Sequence, residues 1–297
     1  MARTFPPDVV VLDSDGLMHA RFARGKRGPR VVGAKTYRLP AGTFTPAMVT
    51  PTLVSEANLA DALRRLKLET GKWERVSLLL PDSWFRINIV DLPSLPAGNA
   101  EAMDVVRWSL KRTLPIPPEQ LRVTYHVLSR DGAAAKVLVL SALEATLSAI
   151  ERIFAAAGLE VILIEPLGLN IWNAITVREA DTTADRLFVY VREEDFTTAV
   201  FRGSQPLFIR SRNLSHDRTL EQEIRLSASY LRDSMGGDGF AGCYVAGERG
   251  SSISATLAAE FNTGVRPVVL RDYADDVPQD VAGYDAELTA CTGVFTG

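Results

Sequence analysis

Cysteine is almost missing: 297 residues hold two, Cys243 and Cys291, far apart in the chain. With no CxxC pair and no Cys/His cluster, neither a disulfide framework nor a zinc site can be built, and both thiols are expected as small buried hydrophobes of a reducing compartment. Histidine is equally sparse. His19, His126 and His216 are scattered, and structural or solvent roles are expected of each. An excess of either charge is lacking too. Thirty-three Lys and Arg against 36 Asp and Glu leave a net charge of −3, which predicts no bulk attraction to nucleic acid. No apolar run reaches the length that spans a bilayer. The N-terminus MARTFPPDVVV shows no basic-then-apolar signal layout. A soluble, cytoplasmic protein is expected, able to reach a membrane through a partner. Also missing are GxxxxGK[ST], GxSxG and HExxH.

What is present is an α/β pattern long enough for two lobes. Strands are predicted at Asp8–Asp13, Leu17–Ala23 and Val31–Leu39, each bounded by Gly, Pro or Asp. A helix follows at Ser55–Glu69, with Leu59, Leu63 and Leu66 on one face, then a buried strand at Arg75–Pro81. The order recurs. Leu187–Val191, Thr197–Arg202 and Leu207–Arg212 precede a helix near Thr219–Ser234, a strand at Gly242–Gly247, a helix at Ser251–Phe261 and a strand at Val265–Leu270. A duplicated βββαβ order implies two related lobes facing one another. Between them lies an insertion of β-α-β-β-α type: a strand in WFRINIVDLP, a helix at Glu101–Leu114, a hairpin of Leu121–Leu128 with Lys136–Leu143, and a helix at Leu143–Ala157. The expected division is a first lobe at 1–83, continued at 161–183 and by the C-terminal segment, a small subdomain at 84–160, and a second lobe at 184–297. The acidic stretch 272–285 reads as a solvated connection.

Such lobes can offer their first hairpin turns to a nucleotide, with backbone N–H groups forming a nest for phosphate and an Asp holding the metal ion. In the first lobe, Asp13-Ser14-Asp15-Gly16 supplies the acid, the hydroxyl and a glycine, but adds a second carboxylate. In the second lobe the matching turn, VREEDF at Val191–Phe196, has no glycine and gathers Glu193, Glu194 and Asp195. Three carboxylates without bound cations repel a polyphosphate, so a plain hairpin turn is the competing reading. VAGERGSS places Gly247, Gly250 and Ser251 between a strand and a helix. They either present N–H groups to an anion or form an ordinary βα loop. RFARGKRGPR gathers Arg21, Arg24, Lys26, Arg27 and Arg30, as a solvated loop or as a contact for an anionic membrane surface.

The run from LPDSWFRINIVDLP to LGLNIWNA resembles the PilM family of type IV pilus assembly proteins, which is similar to the cell-division protein FtsA and has an actin-like fold. Pro81, Leu92-Pro93, Trp108, Pro115 and Pro117, Tyr125, Ala157-Gly158-Leu159 and Glu165 match in order. The likeness is strongest from 79 to 175. The chain also departs from the family. The first phosphate turn lacks its Lys, the second falls at Tyr190–Arg192 and is lost, and the helical subdomain that closes over adenosine is missing after FIRSRNLS. The resemblance implies a scaffold at the inner face of the cytoplasmic membrane, in type IV pilus or related secretion machinery. It would bind a short N-terminal segment of a PilN-like membrane protein in the cleft between first lobe and insertion, with Trp84 and Arg86 as candidate contacts, and without ATP hydrolysis. The alternative is an active actin-like ATPase holding Mg-ATP through Asp13, Ser14, Gly16, Gly247 and Gly250, with Asp13 on the metal.

Overall fold

The computed structural model describes residues 5–26, 28–47, 49–111, 114, 116–178, 183–193, 195–214, 219–235, 239–281 and 283–296. Strand β1 (Asp8–Leu12) hairpins into β2 (Gly16–Arg24) and β3 (Pro29–Arg38). The two-residue strands β4 (Phe44–Thr45) and β5 (Thr52–Leu53) lead to α1 (Glu56–Thr70) and β6 (Arg75–Leu80). Ser55 starts α1, its Oγ accepting the Asn58 N–H at 3.3 Å. Leu59, Leu63 and Leu66 form its fully buried stripe, each contributing about 1.5–3 kcal/mol by leaving water. Gly71, at φ +82°, ends it.

The insertion comprises β7 (Arg86–Leu92), α2 (Asn99–Leu110), β8 (Leu121–Asp131), β9 (Ala134–Leu143) and α3 (Glu144–Ala156). Its antiparallel sheet runs β7-β9-β8, and α2 covers it with Ala102, Val106 and Leu110 against Val123, Val137 and Val139. Pro115 and its match to the family lie outside the described residues. Helix α3 instead buries Leu147, Ile150 and Phe154 with α1, in the core of the first sheet. Strand β10 (Glu160–Pro166) then returns to that sheet and opens α4 (Leu167–Arg178).

The second half contains β11 (Asp185–Val191), β12 (Asp195–Arg202), β13 (Gln205–Asn213), α5 (Leu220–Met235), β14 (Cys243–Ala246), α6 (Gly250–Phe261), β15 (Val265–Pro267) and α7 (Asp285–Gly293). Its sheet order, β13-β12-β11-β14-β15, repeats the β3-β2-β1-β6-β10 of the first. In each sheet the opening strand is antiparallel to the second and parallel to the fourth, as in Val10↔Leu78 and Val189↔Val245. The duplicated order read from the sequence is therefore a duplicated sheet. Only 214–219 separate β13 from α5, so no helical subdomain fits there.

Helices α4 and α7 pack together between the two sheets. A Cβ on Gly293 would stand 1.9 Å from the Asn170 carbonyl oxygen, so only glycine permits this approach. Trp172 of α4 stacks on Phe201 of β12 at 3.9 Å, and one core holds Val9 and Val11 together with Phe188 and Tyr190. Two expectations need correction. The stretch 272–285 is not simply solvated: Tyr273, Ala274 and Val281 sit in that core, because the segment runs beneath α7. The strand expected at Val265–Leu270 is shorter and ends at Pro267, although the Val268 N–H still donates to the Val245 carbonyl at 2.8 Å. Both cysteines are buried.

Candidate functional site in the cleft between the sheets

Strands β1 and β11 are the points at which strand order reverses in their sheets, and ligands of α/β folds gather outside such points. The first turn is closed on itself there. Asp13 Oδ1 accepts the N–H groups of Asp15 at 3.1 Å and Gly16 at 2.7 Å, and Asp13 N–H donates to the Gly16 carbonyl at 3.0 Å. Two donors that could face an anion are thus spent on the turn's own carboxylate. Ser14 is exposed beside them.

The second turn sends Arg192 across the cleft. Its Nη2 donates to Asp13 Oδ2 at 2.6 Å, and its Nε stands 3.9 Å from Glu287 of α7. Arg192 and Asp13 are 17% and 14% exposed, so the pair is largely out of water. The expected cluster of carboxylates is dispersed. Asp195 turns inward and is 6% exposed, the Glu193 N–H donates to Glu248 at 2.7 Å, and Glu194 lies outside the described residues. Around the bridge lies a cavity of about 530 Å³, lined by Asp13, Asp15, Glu248, Asp285 and Glu287 but only two arginines, Arg38 and Arg192.

Burial pushes the Asp13 carboxyl up, but the hydrogen bond from Asp15 and the charge of Arg192 outweigh it and hold it below the usual carboxylate range. Asp15 moves the other way, to about 6, because it shares a hydrogen bond with Asp13 and is partly desolvated. Their shared hydrogen bond pushes the two carboxyls apart, Asp13 down and Asp15 up. Glu287 is raised by burial. Burial disfavours the Arg192 cation, yet the neighbouring Tyr190, Asp13 and Glu287 hold it charged. The arginine's charge faces two carboxylates, Asp13 and Glu287.

Gly247 and Gly250 adjoin the same cavity. Gly247 has φ +96°, and its Cβ would stand 2.0 Å from the Val191 carbonyl oxygen; the glycine is required by the approach of β11. The Gly250 N–H donates to the Gly247 carbonyl at 3.0 Å. Among the described residues, no group of three or more His, Cys, Asp and Glu is placed to hold a metal ion.

One buried acid was not singled out by sequence. Asp82, in a short 3-10 turn after β6, accepts the Gly168 N–H of α4 at 2.7 Å and faces Thr197 and Asp195 of β12. Burial, with little relief, pushes it up to about 7. The signal available in sequence was only a polar residue next to Pro81. Arg192 was visible as the residue standing where the second phosphate turn fails.

Trp84 is 3% exposed and packs on Phe44 at 4.9 Å. It walls a hollow of about 340 Å³ with Phe44, Pro46, Val49 and Pro51. Arg86 is half-buried and its cation is disfavoured by burial and by Arg212 of β13; it does not line that hollow. A larger groove, about 1060 Å³, runs between α1 and α3 with Ala57, Ala60, Leu68, Ile153 and Ala156 in its walls. His19 is structural, bonded to Asp8 at 2.7 Å and stacked on Trp73 at 4.5 Å. His126 is exposed on β8, and His216 lies outside the described residues. Arg21 is tied to Asp8 and to the Lys72 carbonyl. Arg24, Lys26 and Arg30 are exposed, and Arg27 lies outside the described residues.

No protein-family model matches the chain, and no curated protein matches it. Solved structures do. A chain solved as the PilM-PilN type IV pilus biogenesis complex superposes at TM-score 0.80 with 17% identity, over 96% of each chain. A Bacteroides thetaiotaomicron protein with an actin-like ATPase fold gives 0.57 at 10% identity, over 96% of this chain and 95% of that one. The cytoplasmic domain of EpsL, an inner-membrane component of the Vibrio cholerae type II secretion system, gives 0.56 at 10% identity, over 98% and 94%. The chain has an actin-like fold. Within that fold, the two turns that meet in the cleft carry an arginine bridge, onto which the Trp84 hollow opens through Asp13, Arg192 and Asp195, and the α1–α3 groove lies between first sheet and insertion. Among the described residues no helix is long and apolar enough to cross a membrane.

Proposed function

We propose that this chain is a PilM-like cytoplasmic scaffold of type IV pilus or related secretion machinery. It sits peripherally at the inner face of the cytoplasmic membrane, holds the short N-terminal cytoplasmic segment of a PilN-like membrane protein, and does not hydrolyse ATP. The observation that carries the reading is Arg192, whose guanidinium joins Asp13 across the cleft at 2.6 Å while Asp13 takes up the turn's own N–H groups. An actin-like ATPase needs those donors for phosphate and that carboxylate for a cation. Support for the partner comes from the likeness in fold to a protein solved as PilM-PilN.

The peptide docks where first sheet and insertion adjoin. The α1–α3 groove suits it best, because apolar residues set among charged ones in its walls and the 80% exposed Leu68 offer anchors for side chains of a short segment. In this reading Trp84 shapes the junction from within, and Arg86 borders the second half. The test is fluorescence anisotropy with a labelled N-terminal peptide of the co-encoded single-span membrane protein. Binding is expected, and Leu68→Glu weakens it at least ten-fold with an unchanged melting temperature. If Trp84→Phe weakens binding and Leu68→Glu does not, the peptide lies in the Trp84 hollow. Calorimetry with Mg-ATP should show no heat of binding. A micromolar Kd lost in Asp13→Ala overturns the scaffold reading in favour of an ATPase.

A further inference from the structure

The basic hairpin end is only part of a larger charged surface. Arg24, Lys26 and Arg30 line one wall of a groove of about 1280 Å³, and Arg178 at the end of α4 and Arg271 line it from elsewhere in the chain. All five are exposed, and none makes an ion pair with another described residue. Of the groove's four carboxylates, two are committed. Asp285 accepts the Leu270 N–H at 2.8 Å, and Asp275 has a partner and lies against Gly25. A hydrogen bond from a neutral N–H leaves a carboxylate charged, so among the described residues five cations line the groove against four carboxylates.

The surface is held in place. The Asp275 N–H donates to the Pro29 carbonyl at 2.9 Å, and residue 275 bridges to Arg30, so hairpin and C-terminal segment form one wall. Two exposed valines adjoin it, Val32 and Val277, which share a shallow hollow with Arg30. Basic groups ringing small exposed apolar side chains match the interface of an anionic bilayer, where headgroups attract the cations and the apolar groups enter the acyl boundary.

We propose that this end of the molecule docks directly on anionic phospholipid. The inference deepens the membrane placement above and rests on it for its biological setting, but the contact itself needs no peptide partner.

The full chain, without partner, is floated with vesicles of phosphatidylcholine alone and with phosphatidylglycerol added. Binding is expected only with the anionic lipid, and is lost in high salt as the Debye length shrinks. Each cation strengthens partition roughly five-fold. Arg24→Glu with Lys26→Glu and Arg30→Glu is therefore expected to weaken it more than a hundred-fold, as is Arg178→Glu with Arg271→Glu to a lesser degree. Arg225→Glu with Arg232→Glu on α5 makes a similar charge change elsewhere and leaves it unchanged; circular dichroism checks folding of every variant. Equal binding to both vesicles, or no response to the hairpin and Arg178/Arg271 variants, overturns the proposal. So does displacement from vesicles by millimolar inorganic phosphate, which would assign the groove to a soluble anion. A chain that binds the peptide but no vesicle sinks this inference alone; one that binds vesicles but no peptide sinks the docking reading alone.

Discussion

The two halves of this molecule repeat one plan of strands, yet their first hairpin turns meet the cleft with opposite charge. After β1 the turn presents Asp13, and after β11 the equivalent turn presents Arg192. In a symmetric nucleotide cleft both turns would offer backbone donors to one phosphate chain. Here each turn satisfies the other. The difference ties the lobes by their own side chains: the arginine of one turn meets the carboxylate of the other across the cleft.

The comparison breaks most directly at the arginine. Arg192→Ala leaves Asp13 and Glu287 in the cleft without their cation, at an expected cost of about 3–5 kcal/mol. Denaturant unfolding measures this directly. Asp13→Asn should cost a similar amount, and the double variant less than the sum, because both remove one interaction. An additive double variant would show that the bridge contributes nothing. Arg192→Ala should also gain no affinity for Mg-ATP, since Asp13 still takes the Asp15 and Gly16 N–H groups.

A second prediction concerns Asp82, which joins the halves without a countercharge. Its carboxyl is raised to about 7 by burial, so the protonated form favours folding. That stability is fully present below the ordinary carboxylate range and is lost as pH rises through 7, by up to about 4 kcal/mol. Asp15, raised to about 6, adds in the same direction. Asp13, held low by Arg192, acts oppositely and only in stronger acid. The melting temperature should therefore fall from pH 5 to pH 8, and Asp82→Asn, whose amide oxygen can still accept the Gly168 N–H, should flatten that fall. An unchanged slope in the variant would rule Asp82 out as its source.

How legible this was depended on whether a feature is local. The duplicated strands follow from alternating and continuous apolar runs punctuated by Gly, Pro and Asp, and α1 follows from Ser55 and its leucine spacing. The burial of Tyr273 and Ala274 was not legible, because an acidic, Pro-containing stretch gives no local sign that α7 will lie over it. The site divides the same way. Asp13 and the glycine-free second turn stood out by position, whereas the contact of Arg192 with Asp13 joins residues far apart in sequence. Such a pair is fixed by how α4 and α7 set the two sheets, and hairpin chemistry alone cannot supply it. Asp82 was missed for the same reason: its partners, Gly168 and Thr197, come from other elements.

Two glycines sharpen the contrast at the level of backbone. Gly247 in the second half has φ +96° and would place a Cβ 2.0 Å from the Val191 carbonyl oxygen. Neither strain nor clash can be relieved by a rotamer, so Gly247→Ala should cost about 3 kcal/mol. Gly16 in the first half meets much less. Its Cβ would lie 3.3 Å from the Tyr37 carbonyl oxygen, with no left-handed φ to maintain. Gly16→Ala should therefore cost less than about 1 kcal/mol. A turn that still cradled phosphate would need the bare backbone of Gly16 for the ligand's approach; a turn that only closes on Asp13 needs merely its N–H, which alanine also has. Thermal denaturation of both variants, with peptide binding measured alongside, checks this. A large loss of stability or of peptide binding in Gly16→Ala would mean that the first turn retains a demand its hydrogen bonds do not account for.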